Sequence, residues 1–132
     1  MVANDDIICV FQDFKDNLEI LLKNAESKND QDLSKSFDRM YRLYIEKDRS
    51  FFHFSGKSDV LAFFTDAPED LYRTEMLALL LYHDALLQID IPTRKDLLEK
   101  SWLLYQYVCV TSNEVSLDRI QVIRDIENHW VE

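Results

Sequence analysis

Glycine is almost missing from this chain: there is one in 132 residues, and proline adds only two more. Tight β-hairpin turns draw on glycine for backbone angles with positive φ. The shortage therefore argues against a sheet built from hairpins, whereas helices joined by short polar links have no such need. Cysteine is scarce too. Cys9 and Cys109 stand far apart, each among apolar neighbours ("IICVF" and "YVCVT"). That spacing suits neither a zinc site nor a disulfide framework, and both are expected to be buried, reduced thiols. Long apolar runs are absent. The longest, Met76 to Tyr82, falls well short of the ~20 residues that span a bilayer. The opening "MVANDDIICVFQDF" carries acids where a signal peptide would carry bases, so the expected location is cytoplasmic. Basic residues are in deficit as well: 15 Lys and Arg face 25 Asp and Glu, for a net charge of −10. The acidity is no tail, because residues 1–66 hold 13 acids and 9 bases and the remainder 12 and 6. A surface of that sign repels phosphate, which argues against direct nucleic-acid or membrane binding. It favours a basic protein partner and speeds encounter with one.

What the chain does have is apolar and aromatic residues, 47% and 12% of the total. That is the composition of a packed globular protein, and the length favours one domain, residues 1–132. The expected fold is all-α: a compact, single-domain antiparallel bundle of five or six helices. Ile7, Phe11, Phe14, Leu18, Leu21 and Ala25 recur at three- and four-residue steps and predict a first helix over about 4–26. Leu33, Phe37, Met40, Tyr44 and Phe51 continue the pattern in a second, capped by Asp30 or Asp32. Gly56 is expected at positive φ in a turn, and Ser58 as the cap of a short helix over 59–64. In "TDAPED", Asp66 and Pro68 read as a helix start. The following helix, to about Gln88, is apolar around most of its circumference and should be the most buried. Thr93 and Asp96 suggest a capping box opening a fifth helix to about Val110. Ser116 should cap a last helix bearing Leu117, Ile120, Ile123, Ile126 and Trp130.

Three motifs invite a chemical reading. "SGKS", Ser55 to Ser58, ends like a P-loop, but the position that needs the first glycine holds Phe51, so no phosphate cradle is expected. "RMYRLYIEKDR" interleaves bases and aromatics as a nucleic-acid face does. Asp38, Glu46 and Asp48 offset its charge, and local ion pairs on a solvated helix explain it better. The third motif is "LLLYHDALLQ", with His83 and Asp84 inside an apolar run. His53 lies thirty residues upstream, and Asp118 and Asp125 downstream. The order His, His-Asp, Asp on helices resembles the ligand order of the HD family of metal-dependent phosphohydrolases. The resemblance implies a metal held by His53, His83, Asp84 and Asp118, with a bound water activated against a phosphate ester. No further His or Lys accompanies the four to hold a phosphate. The preferred reading is simpler: His83 at the edge of the core, and Asp84 facing water or paired with a base such as Arg73. No Ser-His-Asp or Cys-His arrangement stands out.

The function expected from this pattern is non-enzymatic protein binding. An acidic inhibitor of the immunity-protein or antitoxin kind, or a nucleic-acid mimic, would cover a basic surface such as that of a toxin or nuclease. That is an analogy drawn from composition. No metal or other cofactor is expected. The candidate partner-binding residues are Asp6, Asp13, Asp16 and Glu19 on the first helix, and Asp118, Asp125 and Glu127 on the last. The alternatives are the HD-type hydrolase and a helical adaptor with an apolar groove.

Overall fold

In the computed structural model, which describes residues 2–65 and 71–131, seven α-helices and no strand are found among the described residues. They are α1 (Val2–Lys23), α2 (Asp30–Met40), α3 (Arg49–Phe54), α4 (Lys57–Thr65), α5 (Leu71–Leu87), α6 (Ile91–Thr111) and α7 (Leu117–Val131). A 3₁₀ turn, Ala25–Ser27, follows α1, and a π turn, Tyr41–Ile45, follows α2. The all-α bundle expected from the sequence is what forms. The proposed helix start at Asp66 and Pro68 lies outside the described residues.

The core is one continuous cluster. Phe14, Leu18 and Leu21 of α1, Leu33, Phe37 and Met40 of α2, and Leu97, Leu98 and Leu104 of α6 belong to it with residues of α5, whose principal neighbours are α6, the π turn, α1 and α4. Met76, Leu77, Ala78, Leu80, Leu81 and Ala85 of α5 have no exposed surface at all. A helix apolar around most of its circumference needs neighbours on most sides: from Met76 to Ala85 of α5 all but the partly buried Leu79 and His83 are buried. The short link between α5 and α6 folds them back as an antiparallel pair, the most extensive contact in the molecule. Ser101 Oγ of α6 donates to the Ala78 carbonyl of α5 at 2.6 Å, which places the two backbones close together.

Several local expectations are corrected. The cap of α2 is Asn29, whose side chain accepts from the Asp32 amide; neither Asp30 nor Asp32 serves. Asp90 caps α6 by accepting from the Thr93 amide and hydroxyl, with Pro92 in the first turn. Asp96 therefore leaves any capping box and pairs with Lys100 and Lys57. Ser116 does cap α7, accepting from the Arg119 amide. Gly56 does not have positive φ, and a side chain there would meet open space. Because α4 begins at Lys57, Ser58 lies inside the helix. Both thiols are exposed. On α1 the run "IICV" wraps past the buried stripe onto the outer face, where Ile8 and Val10 are also exposed. Leu117 is likewise exposed, at the free start of α7.

The second helix does not run on to Phe51. It widens into the π turn at Tyr41–Ile45 and stops at Glu46, the one non-glycine residue with positive φ (62°) among the described residues. The chain can then restart as α3 in a new direction. α3 has only six residues, too few to be stable by itself. Its end is held by Lys100, whose buried ammonium donates to the Phe52 and His53 carbonyls at 2.9 and 3.3 Å. Asp96 balances that charge at 2.6 Å.

Candidate functional site

The other end of α3 is held by a carboxylate. Asp84, fully buried on α5, accepts from five donors. Arg49 grips it with both faces of its fork, Nη2 to Oδ1 at 2.6 Å and Nε to Oδ2 at 3.0 Å. Tyr41 donates its hydroxyl to Oδ2 at 2.8 Å, His53 Nε2 lies 2.6 Å from Oδ2, and Gln88 Nε2 reaches Oδ1 at 3.1 Å. An ionised carboxylate only accepts, so His53 Nε2 carries a proton in this contact. Arg49 extends the network into α2, donating from Nη1 to Ser34 Oγ at 2.6 Å and to Asp38 at 3.4 Å. One carboxylate thus joins α2, the π turn, α3 and α5.

Electrostatics explain why the charge is tolerated. Burial alone pushes the Asp84 pKa up, but the hydrogen bonds from His53 and Arg49, with the Arg49 charge, outweigh it and bring it down to about 2. Tyr41 moves the other way: burial and then the neighbouring Asp84 charge push its hydroxyl well above the usual phenol range. It stays a donor.

The two residues of the His-Asp pair part company. Asp84 does not face water, and its base is Arg49; Arg73 pairs with Glu46 instead. His83, the next residue along the helix, points elsewhere and packs against the edge of the Tyr82 ring at 4.8 Å between centroids. His53 and Asp84 are brought together, as the HD-type order would require. Yet Asp84 spends both oxygens on a guanidinium, and Asp118 stands exposed in the first turn of α7. Among the described residues, no group of three or more His, Cys, Asp or Glu side chains is placed to hold a metal ion. The set that the resemblance implies, His53, His83, Asp84 and Asp118, is not assembled as a ligand shell among the described residues.

His83 carries a testable consequence. Burial lowers its pKa from the ordinary 6.5 to about 4, against an opposing pull from Asp125. The fold accepts the neutral ring, so its contribution is complete above pH 6.5 and is lost as pH falls from there toward 4. In that window the unfolded chain binds the proton more tightly, and stability should fall by up to about 1.4 kcal/mol per pH unit on this account. His83→Gln should flatten that part of the curve, read from urea midpoints across the window. An unchanged slope would show that the ring is free to ionise in the folded state.

The acidic candidates are placed as follows. Asp6, Asp13, Asp16, Glu19, Asp118 and Glu127 are exposed, and Asp125 is half-buried. Several have internal partners. Asp13 accepts from the Tyr44 hydroxyl, Asp16 from Gln12, Glu127 from the Trp102 indole, and Asp125 from the Tyr82 hydroxyl; Glu19 pairs with Lys23. α1 packs mainly on α5 and α7 mainly on α6, so the two sets of acids belong to helices with different principal neighbours.

Above the Asp84 cluster lies an open trough that the sequence did not announce. Two adjoining hollows of about 370 and 320 Å³ share Arg49 and Gln88 as their floor. Leu87 and Ile89 border one and Phe54 the other. Among the described residues no helix is long and apolar enough to cross a membrane. Comparison with known protein families, curated proteins and solved structures finds nothing that matches this chain.

Proposed function

We propose that this protein is an acidic helical binding module that recognises a basic protein surface, in the manner of an inhibitor that covers its target. The observation that carries the reading is the outward display of its charge. The chain is ten charges negative, and six of the seven acids expected to meet a partner stand exposed on α1 and α7. His53 and Asp84, the two residues of the HD-type order that meet, are engaged in the cluster with Arg49 and Tyr41. Acids at the surface act mainly by steering an oppositely charged partner, which raises the association rate and makes it sensitive to salt.

A labelled synthetic peptide of Leu and Lys, spaced as an amphipathic helix, serves as the probe. Its association should slow steeply as salt rises, with dissociation changing less. Asp6→Lys combined with Asp16→Lys should slow association without unfolding the protein, because substitutions at exposed sites usually cost little stability. Asp13 is the wrong choice for this test, since its carboxylate holds the Tyr44 hydroxyl. No binding, or binding indifferent to salt, would overturn the reading.

A further inference from the structure

We infer that the trough over Arg49 and Gln88 is the contact surface for a basic amphipathic segment, which seats an apolar residue between Phe54 and Ile89 and a cation at the Asp30 end. The inference rests on the proposed recognition of a basic partner and gives that partner a place to dock. Phe54 and Ile89 are each 87% exposed. A single exposed apolar residue is ordinary, but these two border hollows that share one floor, and Leu87 adds to the Ile89 side. Exposed apolar residues beside a hollow are what the apolar face of a helix or strand can pack on.

The charge of the floor selects the occupant. Among the described residues Arg49 is the one Lys or Arg lining the two hollows, and Asp84 and Asp38 already compensate it. Asp30 and Asp90 lie at one end and Asp38 at the other. Asp90 spends its carboxylate on the α6 cap, whereas Asp30 is exposed in the first turn of α2. Beyond Asp38 the surface changes sign at Lys35, Arg39 and Arg42. An acidic end with a basic boundary orients the guest: its Lys or Arg goes over Asp30, and its apolar residue lies toward Phe54.

The same Leu-Lys peptide tests this, followed by anisotropy and by stopped-flow dissociation. Phe54→Ser with Ile89→Ser should weaken binding at least about tenfold, through faster dissociation, because buried apolar anchors dominate such contacts. Asp30→Lys should weaken it and reduce its salt dependence. Val115→Ser with Leu117→Ser, an equally exposed apolar pair on the approach to α7, should leave it unchanged. All three variants alter exposed side chains, and an unchanged circular dichroism spectrum and urea midpoint will show that the fold is kept. If the wild-type protein binds but the Phe54/Ile89 variant binds equally well, the trough is not the contact surface, while recognition of a basic partner still stands. If the wild-type protein does not bind the peptide at all, both readings fall.

Discussion

Replacing Asp84 with Ala is expected to cost about 3–5 kcal/mol of folding stability, because it leaves a largely buried guanidinium with only the half-exposed Asp38, at 3.4 Å, as counter-charge. Arg49 is 13% exposed and Asp84 not at all. Removing the carboxylate takes both prongs of the Arg49 fork, the Tyr41 hydroxyl and His53 Nε2 from their shared acceptor. Natural domains are stable by roughly 5–15 kcal/mol, so this one change removes a large part of the margin. Replacing both partners, Asp84→Leu with Arg49→Met, should lose much less, since an apolar pair leaves no unpaired charge behind. Urea unfolding of the single and double variants separates the two cases. If Asp84→Ala costs under about 1 kcal/mol, as an exposed ion pair would, the cluster is not what fastens α3 to α5. Acid should tell the same story. The Asp84 pKa is depressed from 3.8 to about 2 in the fold, so its stabilisation is complete above pH 3.8 and is lost as pH falls toward 2. The Ala variant should lack that loss.

The second large effect belongs to α5 itself. Leu80 has no exposed surface and sits in the middle of the single core cluster. Leu80→Ala should destabilise by about 2–5 kcal/mol, the sum of lost burial and the cavity left in a close-packed interior. Leu79, partly buried on the rim of the same core, should cost less when truncated. The difference between the two, read from urea midpoints, measures how completely α6 and α1 enclose the helix. A loss below about half a kilocalorie at Leu80, the size usual for surface positions, would mean that α5 is not the centre of the fold.

How legible the protein was in its sequence depends on distance along the chain. Helical stripes are local, and the α1 stripe of Phe14, Leu18 and Leu21 is buried as expected. The buried character of α5 was legible for the same reason. Caps were less so, because several Asp, Asn and Thr residues compete within each link and only the folded backbone picks Asn29 or Asp90. The Asp84 cluster was not legible. Arg49 is 35 residues away and Tyr41 43 residues away, and nothing in the spacing announces their meeting. One signal was present all the same. A helix apolar around most of its circumference leaves few wet positions, and a buried Asp84 would have to be paired. The pair Arg49 and His53, four residues apart and so on one helix face, was the complementary half of that clue. The trough was hidden because exposure of Phe54 and Ile89 contradicts their residue types, and exposure is decided by where α3 and the α5–α6 link end up.

The Arg49 clamp bears on the cost of recognition. Ordering a long, rotamer-rich side chain at an interface takes about 0.5–1.5 kcal/mol from the binding energy. In the trough that ordering is done during folding: Arg49 is fixed by Asp84 and Ser34, and Gln88 by Asp84. A guest arriving there meets a floor with its rotamers already chosen. The entropy lost on docking then falls mainly on the guest, and a flexible guest will bind more weakly than one already folded into its bound shape.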